Sequence, residues 1–220
     1  MLKMITMRLV SAAAVCTVLA GCASPEPVAY TGIASSSQLR PDPKDESGRI
    51  PYRYSTQVDW RSYDKAMIDP VTVYLGTDSQ FGDMPAGDRA GLASDMEAQF
   101  TQKLAKRFQI TNMPTPGTLR IKLTLTGAAT TTPVLGPFSH FDLAGNLYNG
   151  VQAVRGGEGM ISGSVLYAVE IYDAPTSRLL SAYVTKQYPG AMNIGASFGS
   201  LEAAKTGIEK GADALVAQLR

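Results

Sequence analysis

Leu119-Arg120-Ile121-Lys122-Leu123-Thr124-Leu125-Thr126 alternates apolar and polar residues without a break. A period of two places Leu119, Ile121, Leu123 and Leu125 on one side of a β-strand and Arg120, Lys122, Thr124 and Thr126 on the other. Such a strand has one buried and one solvated face, so its leucine side needs an apolar cover. The chain contains two. Upstream, Leu92, Met96, Phe100, Leu104 and Phe108 recur at every fourth position of residues 89–108, the stripe of an amphipathic helix. Downstream, Leu201, Ala204, Ile208, Ala212, Leu215 and Leu219 form a matching face on a second helix, from a Ser200 cap to Leu219.

The rest of the chain fits around this pattern. Val71, Val73 and Leu75 alternate with Thr72 and Tyr74, so residues 68–75 read as a strand, followed by a loop over 76–88. Residues 160–172 and 178–188 read as two strands of a hairpin, joined by Asp173-Ala174-Pro175-Thr176-Ser177. Residues 127–159 are rich in Gly and Thr. Phe141, Ala144, Leu147, Val151 and Val154 would share a helical face there, but Gly145 and Gly150 each weaken such a helix by about 1 kcal/mol. The expected class is α+β: a small mixed or antiparallel sheet with two amphipathic helices packed on one face, in the order β-α-β-(irregular)-β-β-α. The first two strands flank a helix, which suits parallel pairing; the last two are antiparallel.

The N-terminus has the parts of a secretory signal. Lys3 and Arg8 make a basic start, residues 9–19 are apolar except for Ser11 and Thr17, and small residues lead into a cysteine. The apolar run is too short to span a bilayer. Leu19-Ala20-Gly21-Cys22 resembles the lipobox of bacterial lipoproteins, which implies diacylation of Cys22 and cleavage ahead of it. Acyl chains anchor firmly, since each buried methylene contributes about 0.8 kcal/mol. Ala23 stands where an aspartate would resemble an inner-membrane retention mark, so for a Gram-negative host the expected location is the outer membrane, facing the periplasm. The domain plan is then a signal peptide over 1–22, a flexible tether over 23–57, rich in chain breakers and poor in bulky apolar groups, and one periplasmic α+β domain over 58–220. Tyr30, Ile33, Leu39, Tyr52 and Tyr54 are the tether residues able to dock on the body.

Removal of residues 1–22 leaves 18 basic and 19 acidic residues, a net charge of −1. That balance gives no electrostatic case for nucleic acid. Cys16 leaves with the signal and Cys22 is taken by lipid, so the mature domain has neither disulfide nor catalytic thiolate.

Several stretches resemble a known family. They are Tyr30-Thr31-Gly32-Ile33, Ser37-Gln38-Leu39-Arg40-Pro41, Val58-Asp59-Trp60, Tyr63-Asp64-Lys65-Ala66-Met67-Ile68-Asp69-Pro70-Val71, Leu104-Ala105-Lys106-Arg107-Phe108 and Pro116-Gly117-Thr118-Leu119. Together they resemble the bacterial lipoproteins grouped as domain of unknown function 3313. The resemblance implies a periplasm-facing lipoprotein and carries no activity, substrate or functional residues. The hairpin over 173–180 is similar to a turn of several outer-membrane accessory lipoproteins, which by analogy favours a binding or assembly role.

The chemical constellations are sparse. Gly195-Ala196-Ser197-Phe198-Gly199 matches a nucleophile elbow, but the single histidine, His140, precedes Ser197, whereas that fold needs it afterwards. One histidine without cysteines makes a poor zinc set. Asp78, Asp83 and Asp88, spaced by five, lack the spacing of a calcium loop. Gly156-Gly157-Glu158-Gly159 lacks the lysine and hydroxyl of a phosphate loop. Neither enzyme, cofactor nor metal is expected. Asp59-Trp60-Arg61-Ser62-Tyr63-Asp64 mixes aromatics with charge as interface patches do, and residues 138–154 carry an apolar face. The candidate partner-binding residues are therefore Trp60, Phe138, Phe141, Leu147 and Tyr148. The expected function is non-enzymatic: a lipoprotein held in the membrane through Cys22 that binds a protein or envelope component. The alternatives are a carrier of a small apolar ligand between sheet and helices, and an envelope hydrolase.

Overall fold

The computed structural model describes residues 25–130, 163–189 and 201–220. Along the chain they form β1 (Arg40–Pro41), β2 (Tyr52–Ser55), β3 (Lys65–Ile68), β4 (Thr72–Val73), α1 (Ala86–Leu104), β5 (Gln109–Ile110), β6 (Thr118–Ala129), β7 (Ser164–Asp173), β8 (Arg178–Gln187) and α2 (Glu202–Gln218). The class is α+β. The strands make one mixed eight-stranded sheet in the order β1-β2-β8-β7-β6-β3-β5, with β4 also paired to β6.

The leucine side of β6 behaves as its alternation demands. Leu119, Ile121, Leu123 and Leu125 are buried in one core with Val165, Tyr167, Val169 and Ile171 of β7. From α1 the same core takes Leu92, Met96, Phe100 and Leu104, and from α2 it takes Ala204, Ile208, Ala212 and Leu215. β3 and β4 run parallel to β6, because α1 supplies the crossover that parallel strands require. β6–β7 and β7–β8 are antiparallel. α2 comes very close to the sheet. A Cβ at Gly207 would lie 2.8 Å from the Gln187 carbonyl oxygen, and one at Gly211 would collide with the Tyr167 hydroxyl. This explains the small residues on its inner face.

Three expectations change. Of the strand read over 68–75 only Ile68, the last residue of β3, and Thr72–Val73, which form β4, are in the sheet; the ladder begins earlier, at Lys65, and breaks at Pro70, which has no N–H to donate. α1 starts and stops about three residues early. Phe108 nevertheless keeps its place in the core, because the chain turns after Leu104 with Phe108 N–H bonded to the Leu104 carbonyl at 2.9 Å. The largest change concerns the segment read as a tether. Residues 25–39 lie across the second face of the sheet, where Tyr30, Ile33 and Leu39 are buried against Ala168, Ala182 and Val184. β1 and β2 then extend the sheet beyond β8. The face expected to be wet is covered over β7 and β8, and the sheet lies between helices and an N-terminal cover. The prolines and serines of this stretch shape turns, while its few apolar side chains do the docking.

Burial under the cover includes charge, and each charge has a partner. Glu170 is 2% exposed, and its Oε1 accepts the Ser35 N–H at 2.6 Å. The Lys186 side chain is 3% exposed, with Nζ 3.4 Å from Glu26 Oε1.

Candidate functional site

The long strands β6, β7 and β8 give the sheet two ends. At one end lies the β7–β8 turn. Asp173 accepts from the Thr176 backbone N–H at 3.2 Å and from its hydroxyl, and Ser177 takes a left-handed conformation with φ 56° to close the turn. Tyr63 donates its hydroxyl to Asp173 Oδ1 at 3.2 Å. Burial first, then the Asp173 charge, push the Tyr63 phenol upward.

Trp60 sits at this end. It opens a 3₁₀ turn, Trp60–Ser62, whose start is capped by Asp59 accepting from Arg61 N–H. Its ring packs half-buried against the core and lies 6.4 Å from that of Tyr63. Arg107 ties it down: Nη2 donates to the Trp60 carbonyl at 2.9 Å and Nε to the Leu219 carbonyl at 2.6 Å. One guanidinium thus closes the end of α2 and fixes the Trp60 turn. Beside it a cleft of about 440 Å³ is lined by Lys103, Lys106, Arg107, Asp213, Val216 and Arg220. Lys103 is matched there by Asp213 at 2.9 Å and Glu209 at 3.0 Å, and those carboxylates raise its pKa. The arrangement is an aromatic ring next to a mostly cationic groove, with no acid–base pair aimed at a common point among the described residues.

The other end of the sheet holds a clasp. Tyr74 donates its hydroxyl to Asp78 Oδ1 at 2.6 Å and accepts the Gly32 N–H at 3.0 Å. Asp78 Oδ2 accepts the Thr31 N–H at 2.9 Å. Tyr30 donates to Gln80 Oε1 at 2.5 Å, and Gln80 Nε2 donates to the Glu26 carbonyl at 2.8 Å. The rings of Tyr30 and Tyr74 meet edge to face at 5.6 Å. Burial pushes the Tyr30 phenol up to about 12. The Tyr74 hydrogen bond, then the Thr31 N–H, hold the Asp78 carboxyl below its usual range. Asp78 is thus committed to the clasp rather than to an ion. Among the described residues no three His, Cys, Asp or Glu side chains gather as a metal site.

Of the candidate residues read from the sequence, Trp60 is placed as above. Cys22, Phe138, Phe141, Leu147 and Tyr148 lie outside the described residues, as do His140, Ser197 and the glycine-rich stretch 156–159. The clasp was half visible: Tyr30-Thr31-Gly32-Ile33 stands out in the sequence, but its partners Tyr74, Asp78 and Gln80 lie more than 40 residues away and carry no local signal. Among the described residues no helix is long and apolar enough to cross a membrane.

A family model described as "Protein of unknown function (DUF3313)" matches residues 29–215. No curated protein is matched by the chain. The chain is similar to a PelC dodecamer from Paraburkholderia phytofirmans at 11% identity, covering 74% of this chain and 94% of that one, with a TM-score of 0.39. It is also similar to a hypothetical protein from Chlamydia trachomatis (11%, covering 70% and 95%, TM-score 0.38). A third similar structure is a DUF4136 family protein from Bacteroides thetaiotaomicron (14%, covering 76% and 95%, TM-score 0.37).

Proposed function

The chain belongs to the DUF3313 family of proteins of unknown function, and from that premise we propose that it is a lipid-anchored, non-enzymatic lipoprotein of the outer membrane that binds an envelope protein on its periplasmic side. The anchor is Cys22, at the end of the lipobox-like Leu19-Ala20-Gly21-Cys22. The binding surface is the end of the sheet that carries Trp60. The observation that carries this reading is the half-buried Trp60 beside the groove of Lys106, Arg107 and Arg220. Tryptophan and arginine are the residue types most enriched where interfaces concentrate their energy, and a ring fixed by its surroundings loses little entropy on binding. The partner's matching surface is apolar with carboxylates at its rim.

Crosslinking in the native host, followed by mass spectrometry, tests this. Wild type should capture one stoichiometric partner. Trp60→Ala should lose it while remaining folded and membrane-bound, and Cys22→Ser should lose it by leaving the membrane. Capture that is indifferent to both substitutions refutes the proposal.

A further inference from the structure

The way the N-terminal segment is fastened decides how the domain meets the bilayer. Glu26 is held from two sides at one end of the sheet. Gln80 Nε2 donates to its carbonyl at 2.8 Å, and Lys186 Nζ approaches its carboxylate at 3.4 Å. Gln80 itself bridges to Gly127. Gly127, Leu166 and Lys186 stand in register across β6, β7 and β8, so Glu26 crosses the sheet near the end where Ala129 pairs with Ser164. Pro27 is buried and Tyr30 is 1% exposed. The chain is therefore fixed from Glu26 onward.

Cys22 lies only three residues before Pro25. From Cys22 to Glu26, the first fastened residue, the four steps of chain span at most about 14 Å, even fully extended. A flexible tether of residues 23–57 would have an end-to-end distance of about 30 Å and would leave the domain free to tumble. A three-residue leash does not. β7, with ten residues, is on the order of 30 Å long, so with the strands upright on the fastened end the Trp60 end stands well beyond the leash's reach.

The fastened end suits a headgroup layer. Pro25 borders a cleft of about 650 Å³ that also involves Phe81, Met84, Pro85, Ala128 and Thr130. Arg89 lies 5.0 Å over the Phe81 ring, and Arg49 lies 4.3 Å over the Tyr188 ring. Guanidinium groups stacked on rings keep their charge at a polar surface while covering apolar area. We infer that this end is apposed to the lipid surface and that the domain stands end-on, with Trp60 turned away from the membrane. The inference rests on the proposed acylation of Cys22.

The processed protein has no cysteine besides the acylated one, so a single introduced thiol can be labelled cleanly. Asp83 lines the cleft at the fastened end and is exposed, and Ala217 is exposed near the end of α2 at the opposite pole. The lipidated protein carrying a fluorophore on Asp83→Cys or Ala217→Cys is placed in phosphatidylethanolamine–phosphatidylglycerol vesicles containing a headgroup-labelled quencher lipid. Ala86→Cys, also exposed, is a second position at the fastened end. The expected result is several-fold stronger quenching at 83 and 86 than at 217. A Gly-Ser spacer inserted between Ala23 and Ser24, longer than the leash by several times, should abolish the difference. Equal quenching at both ends in protein that floats with the vesicles overturns the orientation but not the anchor, and a difference that survives the spacer overturns the leash. Lipidated protein that fails to float overturns the anchoring, and the orientation with it.

Discussion

The Tyr74 hydroxyl donates to the Asp78 carboxylate at 2.6 Å, and it does so while accepting the backbone N–H of Gly32 from the N-terminal cover. One oxygen thus joins a loop after β4 to the segment that closes the second face of the sheet. Tyr74→Phe keeps the ring and its edge-to-face contact with Tyr30 but leaves the Gly32 N–H and Asp78 without this partner. A hydrogen bond to a charged group contributes about 1.5–3 kcal/mol. Tyr74→Phe should lower stability in urea by an amount in that range, and hydrogen exchange should quicken first at residues 30–35. Unchanged exchange there would show that the clasp does not hold the cover.

Tyr30 gives the fold an alkaline limit. Its folded-state pKa is raised from 10.0 to about 12, with burial the main cause. Below the unfolded value both states are neutral and the preference for the neutral phenol is fully present. As pH rises from 10 towards 12 the unfolded chain ionises first, and stability is lost. Tyr172, also raised to about 12 by burial and then by Glu170, acts in the same direction. A denaturation series over this window should show falling stability in wild type and a shallower fall in Tyr30→Phe. Parallel slopes for the two proteins would remove Tyr30 as a cause.

Gly211 faces Tyr167 too closely for any side chain. Gly211→Ala should destabilise by about 1–3 kcal/mol, the usual cost of overpacking a core, although alanine is the better helix former. Truncating Tyr167 to Phe removes the colliding oxygen and leaves the ring carbon 2.9 Å from the new Cβ. The double variant should therefore recover part of the loss, a coupling that a four-member mutant cycle measures. Strict additivity would mean that α2 shifts as a whole.

Arg107 joins two ends that the chain keeps far apart. Arg107→Ala frees the Trp60 and Leu219 carbonyls and should cost about 1–3 kcal/mol. Trp60 is the only tryptophan, so its emission reports the change directly and should move towards that of a more hydrated ring. Arg107→Lys restores the charge but not the two-pronged geometry and should rescue little. An emission spectrum identical to wild type would mean that core packing alone holds Trp60.

Much of the helix-facing half of the molecule was legible from periodicity. The leucines of β6, the fourfold stripe of α1 and the small-and-apolar face of α2 each need a common cover, and they share one core. The other half was legible only as five residues able to dock, Tyr30, Ile33, Leu39, Tyr52 and Tyr54, all of which join the second core, and not as a layer, because its contacts are few and distant. Tyr30, Ile33 and Leu39 stand among prolines and serines in no period at all, and what they bury is Ala168, Ala182 and Val184. Alanine and a single valine across the register give no hint that a second layer is needed. Composition measures how much apolar surface a segment owns, not how well a neighbouring face fits it. Trp60 stands out by its mixture of ring and charge, and that mixture sits beside the cationic groove; Arg107, which positions it, lies in the marked stretch Leu104-Ala105-Lys106-Arg107-Phe108, but nothing local ties it to Trp60, 47 residues away.

The pairing of β2 with β8 has a temporal side. Tyr52 pairs with Val184, and Ser35 donates to Glu170 across 135 residues of chain. A polypeptide made from its N-terminus presents the cover first and the strands beneath it last. Residues 30–55 must therefore wait, with their tyrosines bare, until β8 has emerged and the β7–β8 hairpin has closed. Loop closure over such separations is slow. In pulse-labelled refolding, protection at β6 and β7 should precede protection at β2, and a holdase that grips tyrosine-rich extended chain should bind the nascent protein until the final strand arrives.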